Sequence, residues 1–244
     1  MTEGASVVGE DAAKLYEGKA KIVYTTANPG ELRLHFKDDL TAFNGQKHDQ
    51  MAGKGYYNAQ ITAILLSYLQ SRGIPTHFIR LLGDTDLLVR KLAMVPLEVV
   101  VRNIAAGSLA KRLGLEEGSV LSQPVIELYY KNDTLGDPMV NRTHVRAMGW
   151  AKDTVVDRMI ELARQANTLL QEYFSARGLV LVDFKLEFGL VGDEVVLGDE
   201  ITPDTCRLWD AGTQEKLDKD RFRRDLGGVM EAYQEVYRRL TTRK

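Results

Sequence analysis

Apolar residues along this chain recur at every second position or at every third to fourth, and the change of period marks the predicted elements. Leu15–Tyr24 and Glu31–Phe36 read as strands on either side of an Asn28-Pro29-Gly30 turn. Ile61, Ile64, Leu65, Tyr68 and Leu69 fall at helical spacing within Tyr57–Arg72, and Gly73 offers a stop. His77–Leu82, Leu87–Leu92 and Leu97–Arg102 are further strand-like runs. The last two flank Ala93-Met94-Val95-Pro96, a short apolar connector where two lobes can meet. A short helix is predicted over Ser108–Leu113, and a strand over Val125–Lys131. A long helix runs from about Thr154 to Ala176, opened by a capping-box-like pair, Thr154 and Asp157, and closed by Gly178. The strands Leu179–Leu190 and Glu194–Ile201 follow. A last helix begins near Asp220, with Phe222, Leu226, Val229, Tyr233, Val236, Tyr237 and Leu240 on one side and Gly227-Gly228 weakening its middle. Strands and helices mix without regular βαβ alternation, so the expected class is α+β, with antiparallel sheets and flanking helices.

Residues 1–12 are small, acidic and glycine-bearing, a loosely ordered lead-in. The remaining chain is expected to form lobes over 13–92 and 93–244. At 244 residues, 44% hydrophobic and 27% charged, the composition is that of an ordinary globular protein with a substantial core. Lys and Arg (32) nearly balance Asp and Glu (34), so no overall field draws the chain to nucleic acid or membrane, and any anion binding must be local. Cys206 is the only cysteine, which excludes an internal disulfide and fits a reducing compartment. No apolar run approaches the roughly 18 residues of a membrane span, and the first dozen residues lack the marks of a secretory signal. The expected setting is the cytoplasm.

The densest chemistry lies in Asp183-Phe-Lys-Leu-Glu-Phe-Gly189, followed by Gly198-Asp199-Glu200. On a strand, Asp183, Lys185 and Glu187 share one face, while Val182, Phe184, Leu186, Phe188 and Leu190 fill the other. Leu179 and Leu181 begin the charged face, so the charges start where an apolar stripe leaves off, as at the floor of a cleft. Carboxylates arriving on a returning strand suit a divalent cation bound to phosphates; an ordinary half-exposed charged strand fits the spacing equally well. Gly18-Lys19-Ala20-Lys21 and Gly53-Lys54-Gly55 both miss the phosphate-loop pattern, because no Ser or Thr follows the Gly-Lys pair. Any nucleotide must therefore be gripped between strands. Arg102-Asn-Ile-Ala-Ala-Gly107-Ser108 ends an apolar strand with a cation and turns into a helix, an arrangement suited to a phosphate or to a simple serine cap. Arg207 can supply a second guanidinium. Lys131-Asn-Asp133 and Asp137-Pro-Met-Val-Asn141 form a polar cluster for substrate or metal, with turn chemistry as the alternative. His35, His48, His77 and His144 show no zinc spacing, and no nucleophile motif surrounds Cys206 or any serine.

These segments together resemble the SAICAR synthetase family from about Lys14 to Leu240. The carrying motifs are Leu15-Tyr-Glu-Gly-Lys-Ala-Lys21, Val101-Arg-Asn-Ile-Ala-Ala-Gly-Ser108, Lys131-Asn-Asp133 with Asp137-Pro-Met139, Val182-Asp-Phe-Lys-Leu-Glu-Phe-Gly189, and Gly198-Asp-Glu-Ile-Thr-Pro-Asp204 through Arg207-Leu-Trp-Asp210. The resemblance implies a two-lobed fold related to ATP-grasp enzymes and kinases, with nucleotide between an N-terminal nucleotide-binding lobe and a C-terminal catalytic lobe. It implies an ATP-dependent ligase joining the carboxylate of the imidazole ribotide CAIR to the amine of L-aspartate, giving SAICAR, ADP and phosphate in purine biosynthesis. It further implies that Lys19 and Lys21 face ATP phosphates, that Val23, Val89, Arg90 and the Met94 backbone border adenine, and that Glu187 and Asp199 hold Mg²⁺. Arg102, Ser108 and Arg207 would clamp the CAIR phosphate. Asp137 and Asp183 would lie near the CAIR carboxylate and any second metal. Lys131 and Lys185 would neutralise charge at the reacting groups, and Asp204 would order its loop. A homodimer is implied as well. The competing expectations are a small-molecule kinase with similar lobes and a nucleotide-binding regulatory protein without turnover.

One expectation is geometric. A two-residue Gly192-Asp193 turn leaves Glu187 and Asp199 on opposite strand faces, whereas a three-residue Gly192–Glu194 loop sets them across from each other. A shared metal therefore predicts the three-residue loop, or a bulge near Gly198. Residues 39–55 are expected to form a flap.

Overall fold

The computed structural model describes residues 13–42 and 47–242, so the lead-in at 1–12 and the tip of the expected flap lie outside the described residues. Two antiparallel sheets carry the molecule. The first contains β1 (Lys14–Glu17), β2 (Lys21–Thr25), β3 (Glu31–Phe36), β6 (Phe78–Leu81) and β7 (Asp86–Arg90), in the order β1-β2-β3-β7-β6. A separate hairpin, β4 (Asp39–Ala42) with β5 (Lys47–Gln50), leads into α1 (Lys54–Ser71). The second sheet holds β8 (Ala93–Ile104), β9 (Val120–Tyr130), β10 (Met139–Val140), β11 (Leu179–Val191) and β12 (Glu194–Leu197), in the order β10-β9-β8-β11-β12, with β13 (Cys206–Asp210) also on β11. The remaining helices are α2 (Gly107–Leu113), α3 (Arg142–Met148), α4 (Asp153–Ser175), α5 (Asp220–Arg223) and α6 (Val229–Thr241).

Helix α4 packs on β8 and β11 through Val156, Met159, Leu162, Ala163, Ala166, Leu170 and Phe174, the stripe its period predicts. Its start differs from expectation: Lys152 stands at the cap, and neither Thr154 nor Asp157 caps the helix. Asp153 and Asp157 pair instead with Arg146 and Arg142 of α3. The residues expected to form a connector, Ala93–Pro96, are the first residues of β8. The strand expected over Leu15–Tyr24 is two, folded back at Gly18–Ala20, where the Gly18 amide donates to the Lys21 carbonyl at 2.8 Å. The strand after Glu194 ends at Leu197 rather than Ile201. The last helix is broken in two, because Gly227 and Gly228 both take left-handed backbone angles.

The central finding is the phase of β11. Leu179 and Leu181 share the main core with Phe184, Leu186 and Phe188, whereas Val182 packs in a small cluster with Ala106 and Trp209. Strict alternation would separate Leu181 from Phe184. The pairing of β11 with β13 slips by one residue between Leu181 and Asp183, and this bulge reverses which face points to the core. The leucines expected to begin the charged face, and Val182, expected on the core face, therefore each point the other way.

Candidate active site

Strand β11 is flanked along one edge by β8 and along the other by two short strands, β13 beside its first half and β12 beside its end. Between them the chain from Gly198 to Thr205 loops away. Only the Gly198 amide to the Glu187 carbonyl (2.9 Å) and the Lys185 amide to the Thr205 carbonyl (2.9 Å) tie this interval to β11. The gap lies beside Asp183, Lys185 and Glu187, and Asp199 and Glu200 stand in it.

Two cavities meet there. One, of about 400 Å³, lies against the first sheet and is lined by Val23, Leu32, Leu34, His77, Val89, Arg90, Leu92 and Met94 on its apolar side. Lys19, Lys21, Lys131, Asp137, Lys185, Glu187, Asp199 and Glu200 line its polar side. The other, of about 360 Å³, is lined by Arg102, Asp183, Arg207, Lys219 and Arg223, with Thr41 and Asp39 from the hairpin. Lys19, Ala20, Glu98, Asp137, Lys185 and Glu200 belong to both. An apolar slot opening onto paired charges has the size and make-up of a small-molecule site.

The charges at the junction are interlocked. Lys21 pairs with Asp199 and Glu200, and Lys131 pairs with Glu187. Lys185 reaches Glu98 at 2.8 Å and Glu187 at 2.9 Å. Burial presses the Lys185 ammonium down, yet Glu187, Asp199 and Glu98 outweigh it and hold the group well above the usual lysine range. Burial likewise opposes charge on Asp199, but Lys21 and the other lysines keep its carboxyl well below the ordinary value. Glu200 behaves oppositely: burial and the neighbouring Asp199 charge raise it to about 7. Burial lowers His77 to about 4, so it is a neutral lining residue.

At the far end, Arg102 is fixed by Glu127 (2.6 Å), Asp183 (2.9 Å) and the Ser108 hydroxyl (3.1 Å). Arg207 is fixed by Asp183 and Asp220, both at 2.8 Å. Gly107 has φ +53, and a Cβ there would come within 2.5 Å of the Arg207 guanidinium, so glycine is required. Helix α2 begins at Gly107 after Ala106, so Ser108 is inside the helix and is not the cap. It serves Arg102 instead and does not itself line the cavity.

The turn between β11 and β12 has two residues, not three: Val191 pairs with Glu194 and Phe188 with Leu197. Glu187 and Asp199 nevertheless line the same cavity, because Asp199 leaves the ladder with φ +120, which undoes the alternation. Asp137 also has positive φ, +49, and accepts the Asn132 amide at 2.8 Å. Asp133, the other acid expected at this cluster, is exposed and pairs with Lys19 at 2.7 Å. Asp204 ties its loop to Lys54 (2.6 Å), Asn58 (2.9 Å) and Tyr233 (2.6 Å). Lys54 and Gly55, the last residues of the expected flap, open α1 and are buried. Burial raises the Cys206 thiol far above its usual range, and it is no nucleophile.

The sequence reading missed Glu98. Its signal was available: an acid inside the run Leu97–Val101, four residues before Arg102, shares the face of Arg102 on a strand. Glu98 lies directly across from Glu187, and Asp183 across from Arg102.

A family model described as SAICAR synthetase matches residues 14–240. The chain belongs to the SAICAR synthetase family. A phosphoribosylaminoimidazole-succinocarboxamide synthase of Desulfitobacterium hafniense is 60% identical over 95% of this chain and 97% of its own length. The crystal structure of the synthase from Ehrlichia chaffeensis matches with TM-score 0.92 and 47% identity, over 95% of this chain and all of that one. A SAICAR synthetase solved in complex with ADP matches with TM-score 0.90 and 50% identity, over 94% of this chain and 98% of the other. The fold of the SAICAR synthetases is thus the α+β architecture described above. No helix of the described residues is long and apolar enough to cross a membrane.

Proposed function

We infer that the joined cavities are where this SAICAR synthetase carries out the ATP-driven joining of the CAIR carboxylate to the amine of L-aspartate, giving SAICAR, ADP and phosphate. The observation that carries the assignment is the convergence of Lys21, Lys131, Lys185, Glu187, Asp199 and Glu200 where the apolar slot opens into the arginine-lined cavity. The relative solved in complex with ADP supports nucleotide use, and the apolar slot is the part of the joined cavities that suits a base. There Val23, Val89, Arg90 and Met94 border the base, while Lys19 and Lys21 meet the phosphates. The division of labour follows the sheets: 13–92 is the nucleotide lobe and 93–244 the catalytic lobe.

Glu187 and Asp199 suit Mg²⁺, since both offer hard carboxylate oxygens to one cavity and Mg²⁺ takes one or two such ligands beside phosphate oxygens. Bound there, the metal supplies charge neutralisation for phosphoryl transfer. Arg102 and Arg207, with Ser108 behind Arg102, clamp the CAIR phosphate. Asp137 and Asp183 lie toward the CAIR carboxylate and any second metal. A carboxylate repels nucleophiles and has no good leaving group. Phosphorylation makes it an acyl phosphate; the amine nitrogen then bonds to the acyl carbon as the C–O bond to phosphate breaks, and the nitrogen gives up a proton to the departing phosphate or to Asp183. Lys131 and Lys185 offset the charge gathered at that step. The setting is the cytoplasm and the assembly a homodimer. In α6, Tyr233 is fully buried in the core, and the half-buried Tyr237 packs on Tyr56 and Tyr57.

The test is ADP release with ATP, Mg²⁺ and CAIR, with and without L-aspartate, with the product identified by mass. ADP formed without an amide product would make the protein a kinase. No turnover under any condition would leave only nucleotide binding.

A further inference from the structure

One cation of the arginine-lined cavity is short of counter-charge among the described residues. Lys219, just before α5, has a side chain 15% exposed, and its ammonium lies 3.8 Å from Asp204. Among the described residues it makes no hydrogen bond. Asp204 already accepts from Tyr233 at 2.6 Å and Asn58 at 2.9 Å and is ion-paired with Lys54 at 2.6 Å, so it gains little from a further cation. Burial presses the Lys219 ammonium below the ordinary lysine value; Asp204 offsets this only in part, and Arg223 and Lys54 add to it. A buried cation short of counter-charge favours an incoming anion.

Arg223 lines the same cavity. It stands four positions after Lys219, so one helical turn sets the two side chains on a common face. Its guanidinium gives one nitrogen to Asp220 at 2.6 Å, which leaves most of its five donors uncommitted. Asp220 also holds Arg207 through its other oxygen at 2.8 Å, so Arg223 is braced beside the phosphate clamp.

We propose that Lys219 and Arg223 anchor the two carboxylates of the L-aspartate substrate. The proposal rests on the ligase reading above and names the binding groups for its amine substrate. A dicarboxylate entering beside a phosphate and an acyl phosphate brings two more negative charges into a crowded site. Lys19, Lys21, Lys131 and Lys185 are engaged with carboxylates at the junction, and Arg102 and Arg207 with Asp183. Lys219 and Arg223 supply what remains. Gripping the substrate by its carboxylates leaves the amine lone pair free to attack.

The experiment is steady-state kinetics of Lys219→Met and Arg223→Gln with L-aspartate, CAIR and ATP varied in turn. Each lost charge-assisted contact should raise the KM for L-aspartate roughly ten- to hundredfold. The KM values for ATP and CAIR should hold, CAIR binding by calorimetry should be unchanged, and Lys219→Arg should recover part of the loss. If Lys219→Met fails to fold, Arg223→Gln, on a side chain 32% exposed, carries the test. An unchanged L-aspartate KM in a folded variant would overturn the proposal, as would a rise confined to CAIR, which would assign these cations to the phosphate. Wild-type protein that makes no SAICAR would instead sink the ligase reading itself.

Discussion

Leu92 joins the two sheets at the apolar slot and is seated between two glycines in different ways. A Cβ on Gly189 would lie 2.6 Å from the Leu92 Cβ and 3.1 Å from the Ala93 carbonyl oxygen. A Cβ on Gly198 would lie 2.5 Å from the Leu92 Cδ1, with His77 and Met94 at an ordinary 3.6 Å. The first clash is with groups fixed by the backbone, and the second with the movable end of a side chain. Gly189→Ala must therefore shift the crossing of β7 into β8, an overpacking cost of about 1–3 kcal/mol. For a chain of this size that is a fall in Tm of roughly 2–12 °C. Gly198→Ala leaves the backbone in place but drives Leu92 into the slot, so Tm falls less while the KM for ATP rises about three- to tenfold.

Leu92→Ala separates the two cases. Alanine keeps the Cβ that opposes Gly189 and loses the methyl that opposes Gly198. In a double-mutant cycle, with Leu92→Ala alone as reference, it should restore ATP affinity to Gly198→Ala and leave Gly189→Ala unrescued. Thermal denaturation and ATP-dependent kinetics read both arms. Rescue of both variants, or of neither, would refute the packing argument.

Glu187→Gln keeps the shape of the site but weakens a carboxylate that now meets Lys131 and Lys185. Half-saturating Mg²⁺ should rise roughly ten- to hundredfold with turnover falling, measured by metal titration of ADP release. Asp218 is fully buried, and burial followed by the Asp220 charge raises its carboxyl from 3.8 to about 7. Between those values the folded protein retains a proton that the unfolded chain has released, so this contribution to stability is full below pH 3.8 and is lost as pH rises through 7. From pH 5 to pH 8 the loss amounts to about 2–3 kcal/mol, and Asp218→Asn should lack it. Urea denaturation at both pH values checks this; a wild-type-minus-variant difference that is independent of pH would contradict the assignment.

How far the sequence was legible depended on whether a feature was local. The α4 stripe, β3 and the charged row on β11 follow from periodicity alone, because burial of one face is all that sets them. The bulge between Leu181 and Asp183 was not legible: apolar side chains occupy 179 through 182 on both faces, so the pattern carries no phase across the slip. The hairpin register was misjudged for a related reason. Convergence of Glu187 and Asp199 was assigned to a three-residue turn or to a bulge near Gly198; the turn has two residues, and a backbone rotation at Asp199, next to Gly198, brings the two together. Lys54, read as part of a glycine-flanked loop, is fully buried only because Asp204 lies 150 residues further along the chain. Lys219 escaped notice likewise, since its lack of counter-charge exists only once Lys54, Asn58 and Tyr233 have claimed Asp204.

The interlocked charges explain how a site crowded with acids can fold without ligand and still admit an anionic one. In the free protein Lys21 pairs with Asp199 and Glu200, and Lys131 and Lys185 pair with Glu187, so none of these junction acids stands without a cation. A divalent cation placed between Glu187 and Asp199 would take over the role these lysines fill toward the acids. The ammonium groups, already within the same cavity, would then turn to phosphate oxygens through side-chain rotation alone. Ligand exchange of this kind keeps the net charge of the junction close to balanced at each stage, so little of the binding energy is spent on desolvating an unpaired ion. The same logic separates the junction lysines from Lys219 and Arg223. The former are paired before substrate arrives and must be released by metal, whereas Lys219 lies 3.8 Å from its nearest acid and Arg223 keeps donors free beyond its bond to Asp220. Loss of Mg²⁺ should therefore weaken nucleotide binding far more than it weakens the hold on L-aspartate.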